Sequence, residues 1–247
     1  MFAEQRFAAI LEELEQHQAA NVSRLCQITG ASEATIRRDL TVLADQGLLT
    51  KVHGGATLIG QEFEKQEPDI DTKHNLHAAE KLKIARYAAS LIQNSDVVFL
   101  DAGTTTLPMV SFLKGSGAIF VTNGISCAQQ LVIQGLQAYT LGGQLKAGTQ
   151  AIIGAQAIQS LEQYNFTKAF LGTNGISIRQ GFTTPDPEEA AVKAKASHRA
   201  YLSFVLADSS KFDKVTTATM FPLEAATIIT DHLPNPSYLD HTIIKEV

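Results

Sequence analysis

Two consecutive arginines, Arg37 and Arg38, lie beside hydroxyl side chains in a segment with helical periodicity. Ser32 is a favourable N-cap for a helix predicted over 33–46, whose apolar residues recur every three or four positions. Both arginines and Thr35 fall on the opposite face, near the start of the helix. Arginine can donate two hydrogen bonds to guanine, and threonine can contact phosphate or a thymine methyl group. The face therefore predicts DNA reading in the major groove, although a bundle with a solvated charged face fits the same pattern.

The elements around this helix predict a winged helix-turn-helix. An amphipathic helix begins the chain, and a second short helix is predicted over 22–29. After the arginine-bearing helix, the pattern predicts a β-hairpin that turns at Gly54 and Gly55. Lys51 and His53 on this hairpin are placed to reach the DNA backbone or an adjacent minor groove.

A second candidate site follows an apolar run that is typical of a buried strand. Asp101 and Gly103 precede three threonines, Thr104, Thr105 and Thr106. A junction from strand to helix exposes unpaired backbone N–H groups and the positive end of the helix dipole, which favour anions. One glycine and three hydroxyls at such a junction predict a phosphate cradle. The segment is neither a Walker loop nor a GxGxxG loop, and ordinary turn chemistry remains an alternative.

Over the C-terminal two thirds of the chain, helices alternate with short apolar runs, which predicts an α/β domain with a mainly parallel sheet. Small and polar residues recur after several of these runs, among them Asn123, Asp208 and Lys211. Ligands bind outside the carboxyl ends of the strands in such sheets, so these residues predict one shared pocket. Glu189 and Lys193 lie four positions apart at the start of a later helix, where a surface salt bridge is the simpler explanation.

The changes in periodicity predict a DNA-binding domain over 1–59, a linker over 60–74 and the α/β domain over 75–247. The net charge of −5 argues against a protein that binds nucleic acid regardless of sequence. It allows a sequence-specific DNA-binding protein whose basic side chains lie on one element. Cys26 and Cys127 are too few for a zinc finger, and their apolar surroundings indicate a reducing compartment. No apolar run is long enough to span a membrane, and together with the cysteines this leads us to expect a cytoplasmic protein. We also expect that it needs no metal and no cofactor.

The chain also carries a set of short motifs in a definite order. In the N-terminal part these are SEATIRRDL, which begins at Ser32, and HGGA, which begins at His53. In the C-terminal part they are DAGTTT, the TN of VTNG, GFTTPDPEEAAVK and ADSSKF. Together they resemble the DeoR-type family of bacterial transcription regulators, and the resemblance extends along nearly the whole chain. It implies a repressor of a sugar or sugar-alcohol catabolic operon that a phosphorylated sugar releases from operator DNA.

The resemblance implies roles for individual residues. In the helix-turn-helix, DNA would be contacted by Ser32, Thr35, Arg37 and Arg38, whereas Asp39 would orient an arginine or cap the helix. The C-terminal sensor domain would be similar in fold to ribose-5-phosphate isomerase. There, phosphate would be held by Gly103, Thr104, Thr105 and Thr106, with positive charge from Lys193 and Lys211. Sugar hydroxyls would be addressed, or those lysines oriented, by Asp101, Asn123, Glu189 and Asp208.

A sugar-phosphate isomerase with an N-terminal extension is the alternative function. Its proton transfer needs a carboxylate base, and the acidic residues of the isomerases correspond here to Leu171 and Asn174. We therefore expect a binding protein rather than an enzyme. Helix-turn-helix proteins usually read two half-sites, so we also expect a homodimer or homotetramer that binds double-stranded operator DNA and no membrane.

Overall fold

A computed structural model of the chain describes residues 1–46, 48–58, 62–63 and 70–247. The contacts between residues divide it into two compact units, Met1–Gln61 and Glu62–Val247. Much of the predicted linker over 60–74 lies outside the described residues, as does Gly47, which follows the helix predicted over 33–46.

The described residues of the N-terminal unit form three helices and three short strands. In chain order these are α1 (Ala3–His17), β1 (Ala19–Asn21), α2 (Val22–Thr29), α3 (Glu33–Asp45), β2 (Leu49–Val52) and β3 (Gly55–Leu58). The apolar faces of the helices meet in one core, where Ile10, Leu25 and Ile36 are fully buried. The unit is thus a winged helix-turn-helix, as the sequence predicts.

Local signals explain the bounds of α2 and α3. Asn21 caps α2 by accepting a hydrogen bond from the backbone N–H of Arg24 at 2.8 Å. Gly30 ends α2 in the left-handed region with a φ of 69°, where a glycine is not strained. Ser32 then caps α3 by accepting a hydrogen bond from the N–H of Thr35. The short turn between the two caps fixes the approach of α3 to α2.

The wing differs from the predicted hairpin in two respects. Its turn lies at His53 and Gly54, one residue earlier than predicted, because Val52 pairs directly with Gly55. The sequence pattern also does not predict the third strand, β1, which pairs antiparallel with β3 in the order β1-β3-β2.

The C-terminal unit is built on a seven-stranded sheet in which every neighbouring pair is parallel. The strands are β5 (Val97–Leu100), β6 (Ile119–Thr122), β7 (Gln137–Thr140), β10 (Phe166–Gly172), β13 (Ala200–Leu206), β16 (Thr227–Thr230) and β17 (Ile244–Glu246), and their order across the sheet is β17-β16-β13-β10-β5-β6-β7. The prediction of a mainly parallel α/β domain is therefore confirmed.

Smaller elements surround this sheet. The helices are α4 (Ile70–Asn75), α5 (Ala78–Ser90), α6 (Ile125–Ile133), α7 (Ala155–Leu161) and α8 (Pro187–His198). The short strands, which the sequence pattern does not predict, are β4 (Glu62–Phe63), β8 (Gln144–Leu145), β9 (Ile152–Ile153), β11 (Gly175–Ser177), β12 (Gly181–Thr184), β14 (Lys214–Val215) and β15 (Ala218–Phe221). Of these, β11, β12 and β15 form a separate antiparallel sheet.

Alternating side chains of the central strands pack into two hydrophobic cores, one on each face of the sheet. Val98 and Phe120 belong to one core, together with α5 and α6, whereas Phe99 and Val121 belong to the other, together with α7 and α8. Burial on both faces explains why the strands read as continuous apolar runs. It also leaves the carboxyl ends of the strands as the place where polar side chains can gather.

Candidate functional site

A cavity of about 230 Å³ lies at the carboxyl ends of β5, β10 and β13. The predicted effector-site residues that line it are Gly103, Thr104, Thr105, Glu189, Lys193, Asp208 and Lys211. They come from separate parts of the sequence, which the parallel sheet brings to one edge.

Three predicted residues, Asp101, Thr106 and Asn123, do not line this cavity, because their side chains hold its walls together. Thr106 is fully buried, and its Oγ1 donates to the backbone carbonyl of Asp101 at 2.7 Å. The Asn123 side-chain oxygen accepts a hydrogen bond from the N–H of Ala102 at 2.9 Å. Thr106 and Asn123 therefore shape the loop after β5, and a direct contact of either with phosphate or a sugar hydroxyl has no support in this geometry.

Asp101 and Lys193 form a buried ion pair across the end of the sheet. Asp101 Oδ2 accepts hydrogen bonds from Lys193 Nζ and, at 2.9 Å, from the N–H of Gly172. Lys193 Nζ also donates to the carbonyl of Gly172 at 3.1 Å. The side chains are 6% and 1% exposed for Lys193 and Asp101, so water screens the pair little. Asp101 thus orients a lysine, which is one of its two predicted roles.

Glu189 does not pair with Lys193, so the simple surface salt bridge between them is wrong. Its Oε1 accepts hydrogen bonds from Lys146 Nζ at 3.0 Å and from Thr149 Oγ1 at 2.7 Å. Lys146 also lies 2.8 Å from Asp186 Oδ2, so it bridges two carboxylates. Spacing along α8 could not reveal this, because the partners lie on a loop 40 and 43 residues earlier in the chain.

Two carboxylate oxygens at this end of the sheet have no partner among the residues that the structure describes. They are Asp208 Oδ2 and Asp101 Oδ1, each in a side chain that is 1% exposed. The other Asp208 oxygen accepts from the N–H of Ser210 at 3.1 Å. A buried acceptor without a donor is costly, so Asp208 Oδ2, which belongs to a residue of the cavity lining, favours a ligand that brings hydroxyl donors, whereas Asp101 lies behind the lining.

The sequence pattern did not identify several cations at the cavity, and Lys81 on α5 is the most buried of them. Its Nζ donates to the carbonyl of Lys73 and to Thr104 Oγ1 at 3.2 Å. Burial lowers the pKa of the Lys81 ammonium, the nearby charges of Lys211 and Lys73 lower it further, and Asp208 opposes them. Lys81 lies on the inward face of α5, three residues before the buried Ile84, and that position was a signal that could have identified it. Further lining residues that the sequence pattern missed are Lys73, His77, Thr149 and Lys214. Thr173, Asn174 and Ser210 also line the cavity, and they follow apolar runs at whose ends the sequence pattern predicts the shared pocket.

The loop after β5 presents backbone donors as well as hydroxyls. The N–H groups of Thr104 and Thr105 donate no hydrogen bond within the described ranges, whereas those of Ala102 and Gly103 are already used. The predicted α-helix after this loop is a six-residue 3-10 helix, Leu107–Phe112, which offers a weaker dipole. The free N–H groups and the lysines, rather than the dipole, therefore make this loop suited to an anion.

The predicted DNA-contacting residues lie on the exposed side of α3 and on the wing. Arg37 makes an exposed ion pair with Glu33 at 3.3 Å, and Arg38 is exposed. Lys51 on β2 donates to Thr41 Oγ1 on α3 at 2.8 Å, which joins the wing to the arginine-bearing helix. His53 is exposed in the turn of the wing.

Asp39 faces the core of the N-terminal unit instead of the arginine face. Its two oxygens accept hydrogen bonds from Arg6 Nε at 2.7 Å and Nη2 at 3.1 Å. This bidentate ion pair between Arg6 and Asp39 links α1 to α3 and fixes the rotation of α3 about its axis. Asp39 therefore orients an arginine, as predicted, and it leaves the opposite face of α3 to the basic and hydroxyl side chains.

Membrane spans and metal clusters are both absent from the residues that the structure describes. None of their helices combines the length and the apolar character that crossing a membrane requires. Within the same residues, no three His, Cys, Asp or Glu side chains are grouped so that they could hold a metal ion.

Two family models match the chain. A DeoR-like helix-turn-helix domain matches residues 6–62, and a DeoR C-terminal sensor domain matches residues 76–232. The transcriptional regulator FruR of Bacillus subtilis (strain 168), described as uncharacterised, is 41% identical over 100% of this chain and 99% of its own length. The lactose phosphotransferase system repressor of Lactococcus lactis subsp. lactis is 30% identical over 99% of each chain.

Among solved structures, ribose 5-phosphate isomerase A from Methanocaldococcus jannaschii matches 53% of each chain with a TM-score of 0.40 and 17% identity. The alternative of an enzyme is set aside, because the relatives that match along the chain are named as transcriptional regulators and repressors. The chain therefore belongs to the DeoR family of transcriptional regulators, with the family's helix-turn-helix in its N-terminal unit and the family's sensor domain in its C-terminal unit.

Proposed function

We propose that the chain represses a sugar or sugar-alcohol catabolic operon and that a phosphorylated sugar releases it from its operator. Operator DNA would be contacted by Ser32, Thr35, Arg37, Arg38, Lys51 and His53. The effector would bind in the cavity at the carboxyl ends of β5, β10 and β13. The names of the relatives support the carbohydrate link, since they include a lactose phosphotransferase system repressor and a putative aga operon repressor.

The class of effector is inferred from the mixture of ammonium, backbone N–H and carboxylate groups at the cavity. Lys81, Lys193 and Lys211 supply positive charge, and the N–H groups of Thr104 and Thr105 supply donors, which together suit a phosphate. Asp208 Oδ2, which lacks a donor among the described residues, accepts hydrogen bonds and repels anions, so it suits hydroxyl groups. A ligand with a phosphate at one end and hydroxyls at the other satisfies both requirements.

Release from DNA follows from linkage between the two units. The effector must bind better to the arrangement of the protein that fits DNA poorly, because a ligand with equal affinity for both arrangements shifts nothing. A coupling free energy of about 1–3 kcal/mol changes operator affinity by roughly 5- to 150-fold.

A thermal-shift panel on the full-length chain tests the effector class. The panel contains fructose 1-phosphate, a tagatose phosphate, a hexitol phosphate and glycerol phosphate, each with its unphosphorylated parent. A ligand at about one hundred times its Kd stabilises the folded state by about 2.7 kcal/mol, which a thermal shift detects. We expect at least one phosphorylated compound to raise the melting temperature and its parent to have no effect. Equal shifts with the parents would contradict a phosphate site.

Matched lysine variants locate the binding. Lys211→Ala removes a cation from the cavity, and we expect it to weaken the effective compound about tenfold or more, because a hydrogen bond to a charged group contributes about 1.5–3 kcal/mol. Lys114→Ala is the control, since Lys114 is exposed and does not line the cavity. Equal weakening by both variants would point to nonspecific attraction of the anion instead.

A further inference from the structure

A long uncharged segment of the sequence lies at one edge of the seven-stranded sheet. From Gly115 to Leu145 the chain contains no Asp, Glu, Lys, Arg or His, although 18% of all its residues are charged. The segment includes β6, α6 and the edge strand β7. Val132 and Ile133, at the end of α6, are 63% and 75% exposed. Tyr139 on β7 is also exposed, but its ring lies on the opposite face of the sheet, 6.4 Å from the ring of Tyr164. An exposed apolar patch in uncharged surroundings is typical of a protein interface.

The backbone of β7 also has hydrogen-bonding capacity on its outer side. Among the described strands β7 pairs only with β6, and the N–H of Leu141 donates to the carbonyl of Thr122. Backbone groups alternate along a strand, so those of Ala138 and Thr140 point away from β6. Outside the ladder with β6, which is the one strand neighbour of β7 in the described part of the chain, neither of their N–H groups donates to a described backbone group. A further strand could therefore pair with β7.

The opposite edge of the same sheet is different. There β17 carries Lys245 and Glu246 within its three residues. Charged side chains on an edge strand oppose pairing with another chain, and natural sheets use them for that purpose. The strand β7, with the sequence QAYT, has neither a charge nor a proline. The chain thus protects one edge of its sheet and leaves the other open.

We propose that β7 pairs antiparallel with β7 of a second copy of this chain across a two-fold axis, with Val132 and Ile133 packed beside the paired strands. In a two-fold contact each residue near the axis meets its own copy, so any charge there would face a like charge. A segment without charges meets this condition for a second copy, whereas an unrelated partner would not require it. Reading of two half-sites by a helix-turn-helix protein supplies an independent need for the second copy.

Sedimentation equilibrium of full-length variants tests the interface. Ile133→Glu places one carboxylate of each copy in the uncharged contact, and we expect it to halve the mass of the wild-type oligomer. The control is Ile243→Glu, since Ile243 is 73% exposed but lies next to β17 at the protected edge. We expect this control to keep the wild-type mass.

A second variant guards against misfolding of the first. Thr140→Lys adds a charge at an exposed position of β7 and buries nothing in the single copy. Circular dichroism and the thermal shift with the effective sugar phosphate verify that each variant is folded. Halved mass in a folded Thr140→Lys or Ile133→Glu variant supports the interface. Wild-type mass in both variants, or a wild-type chain that sediments as a single copy, overturns it.

Discussion

Replacement of Asp101 by Asn isolates the charge of the ion pair in the cavity wall. The asparagine keeps the shape of the side chain, and its oxygen can still accept the hydrogen bond from the N–H of Gly172. The ammonium of Lys193 then remains 6% exposed without its carboxylate. Because a buried charge that loses its partner is strongly unfavourable, we expect the free energy of unfolding to fall by about 3–5 kcal/mol.

A double-mutant cycle separates this pair from its surroundings. Lys193→Met leaves the Asp101 carboxylate buried without its cation, so we expect a loss of similar size. The combined variant removes both charges, and its loss should be no greater than that of either single change. The exposed pair of Lys195 and Glu162 provides the comparison: Glu162→Gln should cost less than about 1 kcal/mol.

Urea unfolding of the full-length chain, followed by circular dichroism, measures these changes. If the two units unfold in separate transitions, only the transition of the C-terminal unit should move, since both residues lie within it. Losses that simply add in the combined variant, or a loss below about 1 kcal/mol for Asp101→Asn, would refute the reasoning that a buried ion pair holds this wall.

Three further side chains give predictions of their own. Burial lowers the pKa of Lys81 from its ordinary value of 10.5, so the folded state binds fewer protons than the unfolded state at pH values between the lowered pKa and 10.5. The free energy of unfolding should therefore rise with pH in that window, and Lys81→Met should flatten the rise in urea unfolding at stepped pH. Burial raises the pKa of Cys127 to about 12, so iodoacetamide should modify it in urea and spare it in the native chain; equal rates would contradict the burial. A Cβ on Gly55 would lie 2.2 Å from the carbonyl oxygen of Ala20, so Gly55→Ala should destabilise the N-terminal unit by about 1–3 kcal/mol, whereas Gly148→Ala, with open space around it, should not.

The N-terminal unit shows which parts of the fold can be predicted from local sequence. The helix α2 has the predicted bounds because Gly30 ends it, and α3 begins where Ser32 predicts. The strand β1 has no such signal, since it consists of three residues that pair only because Gly55 lets β3 approach closely. Local chemistry therefore predicts the helices, and tertiary contact creates the third strand of the wing.

The cavity shows the same division. The rule that ligands bind at the carboxyl ends of parallel strands is enough to group Thr104, Asp208 and Lys211 from their places in the sequence, whereas Lys193 lies within α8 and only the family resemblance implies it. The partners of these side chains are not predictable in that way, because Lys193 pairs with a residue 92 positions away. The residue type of Lys81 is ordinary for an amphipathic helix, but its position on the inward face of α5 indicates that it is buried.

Operator release by the effector tests the central claim most directly. A duplex selected from random sequences by the full-length chain is labelled, and its binding is followed by fluorescence anisotropy with increasing sugar phosphate. We predict that the wild-type chain dissociates, that Lys211→Ala holds the duplex but resists release, and that Arg37→Ala loses the duplex while still binding the sugar phosphate. Binding to the duplex that no stabilising sugar phosphate weakens would contradict this mechanism, as would loss of sugar-phosphate binding in Arg37→Ala.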